Sequence, residues 1–167
     1  MTVTNVETPS PPTLPRLPEE LVASVPFLLK RLGFAAKDKS MAAYERSGLH
    51  PYHHAVLAVL DEGSRETQGA IADALGYDRG QLVGLLDELE EKALVERRRD
   101  PADRRRHIVR LTPEGKRALG KLRELARELE SEFLASLDED ERAHLHTLLL
   151  RLAQQHLPRC APSMPSG

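Results

Sequence analysis

A single cysteine in 167 residues excludes an internal disulfide framework and any multi-cysteine zinc site. Tryptophan is absent and aromatics make up only 4%, so no stacking platform for unpaired bases is expected. Long apolar runs are missing as well: none approaches the roughly 18 residues that a membrane span requires. The opening MTVTNVETPSPPTLPRLPEE has neither the basic start nor the apolar centre of a secretory signal. A cytoplasmic protein without a membrane partner is therefore expected. The sequence also has no glycine-rich phosphate loop, no metal-binding motif and no nucleophile in a recognisable setting. These gaps argue against an enzyme and against any cofactor.

What is present is a chain of 40% hydrophobic residues, enough to bury a core without staples. Its formal charge of −2 hides an uneven distribution. Residues 97–110 hold seven arginines against Asp100 and Asp103, a local charge of +5, so the rest of the chain is acidic. A phosphate backbone feels that local field, not the average.

Prolines mark the ends of the folded part. Residues 1–17 and 158–167 read as flexible tails; the second holds Cys160, which has no neighbouring base to activate it. Between them, leucines and valines three and four apart from Pro18 onward predict a helix to about Ser47, kinked or broken by Pro26. Pro51 opens a short helix that closes on Gly63. Thr67 caps a third, which Gly76 ends, and Asp78 caps a fourth, with Gln81 completing a variant capping box. That helix buries Leu82, Leu85, Leu86 and Leu89. The period then shortens to two: VERRR and RHIVRL read as a hairpin around the turn DPADR. Thr112-Pro113-Glu114 starts a long helix, and Asp138 to Glu141 cap a last one, both striped with leucines.

The expected fold is mainly α with a small β-wing, in the order α-α-α-α-β-β-α-α: a helix-turn-helix followed by a basic wing. Residues 18–50 form an N-terminal helical region, 51–111 the winged helix-turn-helix and 112–157 the C-terminal helices. Each part has a use on DNA. A helix fills the major groove, and an arginine-tipped hairpin suits the narrower minor groove.

In this order and spacing the chain resembles the multiple antibiotic resistance regulator (MarR) family of bacterial transcription factors, over about residues 20–155. The resemblance is carried by LVERRRDPADRRRHIVRLTPEG (94–115) for the wing and by GAIADALGYDRGQLVGLLDELEEKALVER (69–97) for the helix-turn-helix. It implies a homodimer built from the N- and C-terminal helices. It also implies a palindromic operator, released on binding a small, often aromatic, effector; the expected sense is repression. Three positions depart from the family pattern: Gly80 and Gly84 in the recognition helix, and Ala93 where a glycine commonly ends it.

Candidate DNA contacts are Arg79, Gln81 and Val83 on the recognition helix, with Arg99, Arg104, Arg105 and Arg106 on the wing. The competing role for Arg105 is an ion pair with Asp103. The acidic half of the recognition helix (Asp87, Glu88, Glu90, Glu91) argues for more weight on the wing. One of His53 or His54, with Tyr44 or Arg46, is expected to line an effector pocket where the second helix meets the dimer helices. A metal site is not expected: neighbouring side chains on a helix project about 100° apart, and no cysteine or carboxylate sits at ligand spacing beside the histidines. The alternative function is a protein-interaction module that keeps the fold with weak or no specific DNA binding.

Overall fold

A computed structural model describes residues 15–63, 67–103 and 105–157. Arg104, Cys160 and most of the two tails lie outside them. The elements are α1 (Glu19–Val22), α2 (Val25–Glu45), α3 (Pro51–Asp61), α4 (Gln68–Leu75), α5 (Arg79–Glu91), β1 (Val95–Arg99), β2 (His107–Leu111), α6 (Pro113–Phe133) and α7 (Glu139–His156). The order matches the expected one with one addition, because the first helical stretch is two helices. The break falls at Ala23 and Ser24, which places Pro26 in the first turn of α2. There its missing N–H leaves no intrahelical bond unmade. Ser24 Oγ accepts the Phe27 N–H at 3.5 Å.

The chain divides into two compact units, Met1–Ala36 and Lys37–Gly167. In the described part of the first, Leu17, Val22, Val25, Leu28, Leu29, Leu32 and Phe34 are all exposed. The second unit holds the core, where Val56 and Leu57 of α3, Ile71 of α4, Leu82, Leu86 and Leu89 of α5, Val95, Val109, Leu119 and Leu122 come together. These are the apolar positions that the periodicity assigns to inner faces. Helix α7 has no buried residue at all, and Leu148, Leu149, Leu150 and Leu152 face outward.

Caps fix the helix ends. Asp138 and Glu141 form a complete capping box on α7, with both bonds at 2.9 Å. At α5 only half of the expected box forms: Asp78 Oδ1 accepts the Gln81 N–H at 2.8 Å. Helix α3 has a box that the sequence reading missed, built from histidines. His50 Nδ1 accepts the Tyr52 N–H at 3.3 Å, and His53 Nδ1 accepts the His50 N–H at 3.1 Å. After α5 the chain turns through Ala93 in the left-handed region, φ 56°, and the Thr112 hydroxyl donates to the Ala93 carbonyl at 2.7 Å.

Candidate nucleic-acid interface

Helices α4 and α5 meet through a three-residue turn. Gly76 makes it possible with a φ of 70°, which a side chain would oppose. Successive residues of α5 step by 100°, so its four buried leucines define an inward direction and Gly80, Gly84 and Asp87 an outward one. Arg79 and Val83 occupy the shoulder toward the wing. Gln81 and Glu88 occupy the shoulder toward α3. Val83, at 42% exposure, is an apolar side chain held out in solvent.

The wing pairs β1 with β2 antiparallel, Val95 opposite Leu111 and Arg99 opposite His107. Its tip is folded by two aspartates. Asp100 Oδ1 accepts the Ala102 N–H at 2.8 Å, and Asp103 Oδ1 accepts the Arg105 N–H at 3.0 Å. The Arg105 side chain rests only loosely on the same carboxylate, Nε to Oδ1 at 3.4 Å, and is almost fully exposed. The ion pair anticipated for it therefore exists, yet leaves its guanidinium presented to solvent. Arg99 and Arg106 are exposed as well. A bridge from Thr67 to Ile108 joins the cap of α4 to β2.

Between these parts lies a concavity of about 610 Å³, lined by the first turn of α4, by Arg79 and Val83, and by Arg105, Arg106 and His107 of the wing. Arg79, Arg105 and Arg106 line it together with the start of α4, and cations beside a helix start suit a phosphate oxygen. Asp73 is the one acid among the described lining residues.

The acidic half of α5 is largely taken up by internal partners. Arg97, 22% exposed at its side chain, holds Asp87 Oδ1 at 2.6 Å and Glu90 Oε2 at 2.5 Å. Glu90 Oε1 also accepts the Arg97 backbone N–H at 3.2 Å. Hydrogen bonding from Arg97 keeps the Glu90 carboxyl below its usual range. Arg97 thus belongs to the scaffold, joining β1 to the recognition helix, although it begins the basic run. Glu88 in turn lies 3.0 Å from His53 Nε2. No helical spacing rule links positions 90 and 97 across a turn, so this pairing is invisible in the sequence.

Of the effector candidates, Tyr44 and His54 come together, while Arg46 and His53 lie apart from them. The Tyr44 hydroxyl and His54 Nδ1 are 2.7 Å apart, with their rings nearly parallel and Tyr44 only 4% exposed. Burial, followed by the charge of Arg123, lowers the His54 pKa. Arg46 is exposed and donates to the Ala42 carbonyl at 3.2 Å, one turn back on its own helix. His53 points the other way, toward α5.

Helix-turn-helix, recognition helix and basic wing together define a winged-helix DNA-binding protein. The sequence profile of the MarR family matches residues 47–106. A protein of Thauera aromatica described as the transcriptional regulatory protein for the hcr operon is 33% identical over 132 residues, covering 74% of this chain and 80% of its own. The chain belongs to the MarR family of DNA-binding transcriptional regulators. Among solved structures, the transcriptional repressor CouR bound to a 23-mer DNA duplex is 32% identical with a TM-score of 0.74, over 83% of this chain and 99% of its own. PcaV of Streptomyces coelicolor, in complex with its natural ligand, is 27% identical with a TM-score of 0.66, over 83% of this chain and 98% of its own.

Proposed function

We propose that this chain is a repressor that binds a palindromic operator as a homodimer and is released by a small aromatic effector. The observation that carries the reading is the arginine-lined concavity between α4, α5 and the wing. CouR, similar in fold and sequence, was captured on a duplex, and PcaV with a ligand. Arg79, Gln81 and Val83 read base edges in the major groove, while Arg99, Arg104, Arg105 and Arg106 serve the wing, with Arg104 in the minor groove. The exposed leucines of α7 and the exposed apolar residues of the first unit supply the dimer seam. Tyr44 and His54, the effector candidates that lie together, contact the effector.

Fluorescence anisotropy with duplex DNA from upstream of the protein's own gene tests this, beside a scrambled duplex and at about 50 and 200 mM salt, a range over which phosphate contacts change affinity by orders of magnitude. Selective binding that survives the higher salt is expected. Replacing Arg105 and Arg106 with Ala is expected to weaken both duplexes and flatten the salt dependence. Equal, salt-sensitive binding of both duplexes by the unaltered protein would defeat the operator reading.

A further inference from the structure

Helix α5 turns an almost bare face outward. Gly80 and Gly84 carry no side chain there, and Asp87, next in line, is held by Arg97 at 2.6 Å. Beside them stands Val83, 42% exposed, at the edge of the concavity that Arg79 and Arg105 also line. We propose that Val83 reads the C5-methyl group of a thymine on the major-groove floor, the two glycines letting the helix sit deep enough for it to reach. Such a contact presupposes the operator reading and adds to it the base feature that the helix selects.

None of the three residues serves the helix itself. Glycine and valine are poorer helix formers than alanine, leucine or lysine. Position 84 faces open space, where an added Cβ would meet nothing within 4 Å. At Gly80 a Cβ would meet only Asp78 Oδ1, at 3.2 Å. Nor does the core require Val83, since Leu82, Leu85, Leu86 and Leu89 fill the buried side. Choices that weaken an element locally, gathered on one exposed face, mark a surface shaped for something outside the chain.

The chemistry of the groove selects the contact. Base pairs present hydrogen-bond donors and acceptors there and one apolar group, the thymine methyl. A valine side chain makes no hydrogen bond, so that methyl is the feature it can tell from the rest. Its χ1 is nearly fixed in a helix, and little freedom is lost when it touches a base. Valine is also short. Long side chains at 80 and 84 would meet the bases first and hold the helix away; glycines remove that spacer. One valine flanked by glycines is too small an apolar area for a protein partner.

Fluorescence anisotropy compares the duplex from upstream of the protein's own gene with the same duplex synthesised with deoxyuridine at every thymidine. Uracil pairs as thymine does and lacks only the methyl. The full chain is expected to bind the uracil duplex at least about fourfold more weakly, the worth of one buried methyl group. Val83→Ser is expected to bind both duplexes alike, and Val83→Ile to keep the preference. Gly84→Leu is expected to raise the unfolding temperature, as glycine leaves the helix, and yet to lose both affinity and preference. Equal binding of the two duplexes by the unaltered protein would overturn the proposal, and the operator reading would stand if a scrambled duplex still bound worse. A thymine preference that survives Val83→Ser would overturn it too, since the methyl would then act through DNA shape or another side chain. No preference for the natural duplex over its scramble would defeat the operator reading, and the methyl contact with it.

Discussion

His53 and His54 adjoin in sequence but serve opposite faces of α3. One caps its own helix and faces Glu88; the other pairs with the Tyr44 hydroxyl. The 100° step that argues against a shared metal ion also lets only one of them lie beside Tyr44, as the expectation of one pocket histidine requires. Burial lowers both pKa values, against the pull of Glu88 on His53 and with help from Arg123 on His54. The unfolded chain takes up these protons near the ordinary 6.5, whereas the folded chain resists until lower pH. Their stabilising effect is therefore complete above that value and is lost as pH falls through the folded pKa values. Thermal melts between about pH 7.5 and 5.5 are expected to show a falling midpoint. A double His53→Gln, His54→Gln variant, less stable throughout, is expected to lose most of that slope.

At the scale of elements, the helix-turn-helix and the wing were readable because each has a period and a punctuating residue. The lock between them was not. It depends on Ala93, in a left-handed turn that disfavours a side chain, on the Thr112 hydroxyl reaching back to that turn, and on Gly115. A Cβ at Gly115 would fall inside the surface of the Leu94 carbonyl oxygen. Such close approach comes from tertiary packing, which leaves no period to read. Ala93→Gly is expected to raise stability by about 1 kcal/mol in urea unfolding. Gly115→Ala is expected to lower it by about 2 kcal/mol, because backbone has to move. Reversed signs would show that the turn is not the constraint these contacts describe.

At the scale of the whole molecule, the terminal leucine stripes were legible as apolar faces. Whether each met the core or a partner was not, since periodicity does not say what covers a face. In α7 the leucines remain outward. Replacing Leu148 and Leu152 with Glu is expected to convert a dimer into a folded monomer in sedimentation equilibrium; an unaltered mass would place the seam elsewhere. The Arg97 clamp carries a different consequence. Because Asp87 and Glu90 of the recognition helix are gripped by a residue of β1, the helix and wing proposed to read DNA are tied together at a set span. On the proposed dimer such a gauge tolerates no slippage inside a half-site, so adaptability to operator length resides between protomers. Inserting one base pair within a half-site is expected to abolish binding, while the same insertion between half-sites only weakens it.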